Sequence, residues 1–157
     1  MALPGVDVVH NLDEVPFPFA DAAFDEIECQ DVIEHLDLVP TMHELHRVLA
    51  PGGRLHIRSP HFTSFVFWAD PTHRRAFSIA TFGFFVPGQS SKRDYYFEFA
   101  FSAVERSAIS FHKTPRQPWN RIVERLVNHS PTLQYYYEAT FLARLFPALN
   151  IEVTLVR

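Results

Sequence analysis

The run Gln30-Asp31-Val32-Ile33-Glu34-His35 gathers an amide, two carboxylates and an imidazole in one short stretch. An imidazole titrates near neutrality, so His35 could act as a general base at physiological pH, or it could be a structural histidine. A carboxylate at Asp31 could orient a nucleophile or accept its proton. It reads equally well as a solvated carboxylate at a helix start. More groups of this kind follow at His56, Arg58, His61 and His73. None of them stands at zinc-ligand spacing with the single cysteine, Cys29, or with a second clear partner, so the spacing gives no reason to expect a metal.

These groups need elements to position them. Val6 to Val9 is a β-branched run broken only by Asp7 and ending at His10-Asn11, which predicts a strand and a turn. Pro16 and Pro18 make Asp13 to Ala23 a connecting loop. Phe24 to Cys29 alternates apolar and acidic residues as a strand does, and Asp31 to Leu36 carries the chain away from it. Pro40 to Leu49 has helical spacing in Met42, Leu45, Val48 and Leu49, with Thr41 as expected N-cap and Glu44 three residues on. Ala50-Pro51-Gly52-Gly53 ends the helix, and Arg54 to Ser59 reads as the next strand. Strand, helix and strand in this order imply a parallel α/β pairing.

Further along, Asp70-Pro71-Thr72 predicts a helix through about Phe77, with Ser78 capping a second turn to Phe85. Gly88 to Arg93 is loop-like, and Tyr95 to Phe111 alternates imperfectly, as an antiparallel edge hairpin would. Trp119 to Val127 predicts a helix, Leu142 to Phe146 a short turn, and Asn150 to Val156 a last strand.

A chain of 157 residues suits one domain with a real core. A formal net charge of -4 argues against a nucleic-acid partner, which would show as a basic surplus. One cysteine cannot form an internal disulfide, which favours the cytoplasm. No apolar stretch approaches the ~18 residues of a membrane span, and the first residues lack the features of a signal peptide.

Three stretches then acquire a common meaning. They are Pro18-Phe19-Ala20-Asp21-Ala22-Ala23-Phe24-Asp25-Glu26-Ile27, then Val32-Ile33-Glu34-His35-Leu36, then Glu44-Leu45-His46-Arg47-Val48-Leu49-Ala50-Pro51-Gly52-Gly53-Arg54-Leu55. In this order and spacing they resemble the type 11 group of class I S-adenosylmethionine-dependent methyltransferases. The resemblance implies a Rossmann-like α/β fold with a mostly parallel sheet in the order 3-2-1-4-5-7-6, closed by an antiparallel C-terminal hairpin. It places Val6 to Val9 as the third strand, Phe24 to Cys29 as the fourth and Arg54 to Ser59 as the fifth. The first two strands, with the Gly-rich cofactor loop and the ribose-binding acid, have no counterpart here, so the sheet is expected to be N-terminally incomplete.

The resemblance also implies a chemistry. The cofactor would be S-adenosyl-L-methionine, bound by Asn11, Leu12 and Gln30, with Asn11 and Leu12 at the adenine. Asn after a strand is also a common turn residue. Asp31 and His35 would face the reacting groups. The acidic-x-x-Glu-His set of Asp31, Glu34 and His35 is also similar to a divalent-metal site of some quinone-biosynthesis methyltransferases, with Asp here where that pattern has Glu. The segment from about 60 to 94 would cap a small-molecule acceptor, with His61, Phe62 and Trp68 in its pocket, although its many aromatics also suit an ordinary core or a dimer interface. Two functions stay open: methyl transfer weakened by the missing cofactor loop, and a non-catalytic binding module that completes its sheet by homodimerisation.

Overall fold

The computed structural model describes residues 5–89 and 96–157. Its centre is a four-stranded mixed sheet in the order β1-β2-β4-β3, formed by β1 (Phe24–Gln30), β2 (Leu49–Pro60), β3 (Ala103–Ser110) and β4 (Asn150–Val156). β1 and β2 run parallel, while β4 lies antiparallel to both β2 and β3. This order matches the 4-5-7-6 half of the expected sheet. β3 and β4 are not a tight hairpin, since α3 (Asn120–Val127), α4 (Pro131–Ala139) and α5 (Leu142–Leu145) lie between them.

The expected strand at Val6 to Val9 does not form. Val6, Val8 and Val9 are exposed, and no ladder reaches them. A strand needs a partner for its backbone groups, and no strand among the described residues lies beside this segment. Among the described residues β1 is an edge strand.

The sheet has one dry face and one wet face. Leu55 and Ile57 of β2, with Ile151, Val153 and Leu155 of β4, point into a core shared with Ile33, Met42 and Leu45. The alternate residues Glu26, Glu28, Arg54, His56, Arg58 and Glu152 turn the other way. There they form polar contacts such as His56 with Glu26 at 2.7 Å and the ion pair of Arg54 with Glu105 at 2.8 Å. Period-two alternation is the direct cause, because successive strand side chains leave on opposite faces. A second cluster, with Ile109, Phe111, Val127, Tyr137 and Ala143, joins β3 to α3, α4 and α5.

The helix α1 (Leu38–Val48) starts two residues before the expected position, with Asp37 rather than Thr41 at its N-cap. Pro40 sits in the first turn, where a missing N–H costs nothing, and Thr41 is buried on the core side. The glycine pair does not make a separate turn but is drawn into β2. Gly52 has φ +78°, and a Cβ at Gly53 would stand 2.8 Å from the carbonyl oxygens of both Ala50 and Asp25. The approach of β2 to β1 needs a residue with no side chain here.

No helix forms at Asp70 to Phe77. Asp70 does accept from Thr72 N at 2.8 Å, as a cap would, but Arg74 N then donates to Glu34 O at 2.8 Å and draws the chain back to the sheet. Phe77 bridges to His61 instead, and a helix α2 (Phe65–Ala69) precedes the turn. A 3-10 turn at Thr81–Phe85, with Ala80 rather than Ser78 at its N-cap, stands in place of an α-helix. Of the expected strand from Tyr95 to Phe111 only β3 is formed, and Tyr95, like the end of the Gly88 to Arg93 loop, lies outside the described residues. The helix α4 went unread, although Ser130 caps it by accepting from Leu133 N and Pro131 opens its first turn.

The loop before β1 is held by two residues of α1. Arg47 makes a fork to Glu44, at 2.9 and 2.8 Å, and also donates to the carbonyls of Phe17 and Phe19 and to Asp21. Glu44 is buried and accepts from Phe17 N at 2.6 Å. The Arg47 fork, then the Phe17 amide, holds the Glu44 carboxyl below its usual 4.5 against the opposing pull of burial. Replacement of Glu44 by Gln is expected to cost about 3 kcal/mol of stability at pH 7, as breaking a buried pair does. A carboxyl whose folded pKa is depressed stabilises the fold above its unfolded value and loses that contribution as pH falls through the folded one. Urea unfolding of wild type and Glu44→Gln should therefore differ most above about pH 5 and converge as pH drops below 4.5.

Candidate functional site

β1 and β2 end side by side at their carboxyl ends, and the residues after them line a cavity of about 330 Å³. Asp31, Glu34, His35, Asp70 and His73 are among its walls, with Pro60 and Asn150 at the strand ends. Ligands of open α/β sheets bind at this end, where the chain leaves the strands and loops can converge.

Asp31 is where β1 stops. It takes φ +51°, a left-handed conformation that side-chain-bearing residues rarely hold. Its N–H donates to Arg58 O at 2.9 Å and its carboxylate is paired with the Arg58 guanidinium, so β2 fixes both its backbone and its side chain. Strain of this kind collects where a structure must place one group accurately. Gln30, beside it, is exposed and donates to Glu28.

His35 ends the 3-10 turn Ile33–His35, which buries Ile33 and Glu34. The Thr72 hydroxyl donates to Asp70 at 2.6 Å, so its oxygen can only accept from His35 Nδ1, 3.0 Å away. That leaves Nε2 of His35 with a free lone pair when the ring is neutral. Glu34 is fully buried, with Oε2 accepting from Ser59 at 2.9 Å and Oε1 without a hydrogen-bond partner.

Asn11 and Leu12 lie on the loop before β1. Asn11 donates to Glu14 at 3.0 Å and accepts from Asp13 N at 3.3 Å, a local turn made by an exposed side chain. Leu12 faces a different cavity, an apolar groove of about 370 Å³ lined by Phe19, Phe24, Ile27, Val32 and Leu36 along the free side of β1. Cys29 is in its wall, and burial, aided by Glu28, pushes its thiol up to about 12. It is a poor nucleophile there.

The expected acceptor-pocket residues divide. His61 is fully buried rather than open to a pocket. Its Nδ1 accepts from Thr63 N at 3.1 Å, so Nε2 donates to Glu138 Oε1 at 3.0 Å. Glu138 also accepts from Ile79 N at 2.8 Å and Ser78 Oγ at 2.5 Å, which ties α4 to the cap segment. Phe62 is half-buried against the second core cluster, below the Arg144 guanidinium. Trp68 is 72% exposed and touches Phe67 edge-on. Sequence reading missed Glu138, because its three partners lie far away along the chain and only the fold brings them together.

Comparison with known proteins bears on the sequence profile and the fold. Residues 3–57 match the model of a family described as a methyltransferase domain. The fold aligns with a protein from Bacillus halodurans C-125 described as a methyltransferase, at TM-score 0.52 and 18% identity, over 94% of this chain and 69% of that one. It aligns with an S-adenosylmethionine-dependent methyltransferase from Mesorhizobium loti at TM-score 0.50 and 15% identity, over 94% and 67%. Against one from Archaeoglobus fulgidus the TM-score is 0.49 at 18% identity, and the chain spans 62% of that protein's length. A search of curated proteins finds no match. The resemblance to class I methyltransferases is thus present both in the sequence profile and in the Rossmann-like α/β fold.

The Glu138 clamp has a measurable weight. Glu138→Ala would leave the His61 Nε2–H, the Ser78 hydroxyl and the Ile79 N–H without an acceptor. The loss is expected to be about 3 kcal/mol or more. Thermal unfolding checks it, and Glu138→Gln, which keeps one acceptor, should lose less.

Proposed function

We propose that this chain supplies the acceptor-side half of an S-adenosylmethionine-dependent methyltransferase acting on a small molecule. The observation that carries the reading is the strained Asp31, locked to Arg58 at the end of β1 and lining the cavity beside His35. Methyl transfer asks little of the protein beyond alignment and removal of a proton, because a sulfonium cofactor brings its own electrophile. Asp31 orients the acceptor. His35 offers the free Nε2 lone pair that takes the acceptor's proton.

Gln30, Asn11 and Leu12 are the cofactor contacts in this proposal, and Phe62 and Trp68 the apolar ones for the acceptor. His61 contributes indirectly by fixing α4 against the cap. The cofactor's position would be the free side of β1, where Leu12 and the apolar groove lie. No helix among the described residues is long and apolar enough to cross a membrane.

The groove favours a second reading, a non-catalytic module that pairs β1 with a second copy. An unpaired edge beside apolar side chains is a template for strand addition. Titration calorimetry with S-adenosylmethionine and S-adenosylhomocysteine separates the two. Binding at micromolar to millimolar cofactor, weakened by Asp31→Asn, supports the methyltransferase reading. No heat at millimolar ligand sinks it for this chain, and a dimer by light scattering would then support pairing.

A further inference from the structure

Glu34, His35 and His73 each offer one ligand atom, and these atoms lie within 4.8 Å of one another. We infer that this cluster, with Asp70 at its edge beside His73, is a binding site for a divalent transition-metal cation of the zinc type. Among the described residues no other group of three such side chains converges in this way.

The hydrogen bonds around the cluster decide what it can hold. His73 Nδ1 lies 2.9 Å from the Phe67 carbonyl, which can only accept, so Nδ1 carries the proton. His35 Nδ1 is protonated by the same logic through the Thr72 hydroxyl. Both rings therefore present a bare Nε2. Facing His73 Nε2 are two carboxylate oxygens, Glu34 Oε1 at 3.8 Å and Asp70 Oδ2 at 3.9 Å. Glu34 Oε1 is buried and has no hydrogen-bond partner, while the other oxygen of each carboxylate is already engaged.

With both rings neutral, the facing atoms are lone pairs with no donor among them, and these repel one another. The arrangement calls for positive charge at its centre, and the separations are too long for direct hydrogen bonds. They suit a metal, because ligands at ~2.0–2.2 Å from one zinc ion stand roughly 3–4 Å apart. Two imidazoles with carboxylates select zinc, cobalt or a similar ion over magnesium or calcium, which prefer oxygen donors alone. The Phe67 carbonyl and the Thr72 hydroxyl are the outer partners that fix the ring tautomers of ligating histidines.

A cation here would tie the 3-10 turn after β1 to the loop that carries Asp70 and His73. It would also occupy the His35 lone pair assigned above to proton removal. The site therefore stands on its own geometry and not on the methyl-transfer reading.

The test is titration of chelator-treated protein with cobalt(II), read as a visible ligand-field band, and with zinc(II), read as heat and as a rise in unfolding temperature. One equivalent of either ion is expected to bind, with magnesium giving no response. His73→Gln and His35→Gln should each weaken binding at least ~10-fold, and Thr72→Val, which touches no metal, should weaken it by about 10-fold through the His35 tautomer. Circular dichroism of each variant shows that the fold persists. No band and no thermal shift at millimolar cobalt or zinc overturns the proposal. So does unchanged affinity in a folded His73→Gln.

Discussion

The pair Glu44 and Arg47 on α1 organises everything that precedes the sheet. Residues 5–23 form no regular element, so their backbone groups find partners only where side chains offer them. Arg47 supplies donors to the carbonyls of Phe17 and Phe19, and Glu44 supplies an acceptor to Phe17 N. The arginine fork and the carboxylate are each useful to the loop only while paired with one another. That mutual dependence lets α1 bury Phe17 in the core and set the entry of β1, and with it the position at which Asp31 ends the strand.

From there the structure is a chain of handovers. β1 hands Asp31 to Arg58 of β2, β2 hands His61 to Glu138 of α4, and the Asp70 loop returns through Arg74 to Glu34. Each link joins segments far apart in sequence by a charged or polar contact. The apolar core beneath fills space without direction, and these contacts give the loops at the sheet's carboxyl end their fixed places.

Sequence reading captured what depends on short-range pattern. Alternation in Arg54 to Ser59 and Asn150 to Val156 gave β2 and β4, and helical spacing gave α1 and α3. It failed where a partner decides the outcome. The valines at 6, 8 and 9 have strand propensity but nothing to pair with, and Asp70-Pro71 has the chemistry of a helix start in a segment that Glu34 pulls back. Asp31 and His35 were legible as candidates because they follow a strand. His73 was legible as a chemical group but not as their neighbour, since that meeting depends on a loop path that no local pattern encodes. Ser130-Pro131 was a readable helix signal, masked by the run of tyrosines behind it.

The sheet's two faces separate the forces that hold the domain. Charges lie on one side, with Glu26, Arg54 and Glu105 in water, and hydrocarbon lies on the other. Ionic strength therefore acts on one surface of the sheet alone, while cooling and denaturants act mainly through the opposite one. The domain responds to salt and to temperature through different sets of atoms, back to back across a single layer of backbone.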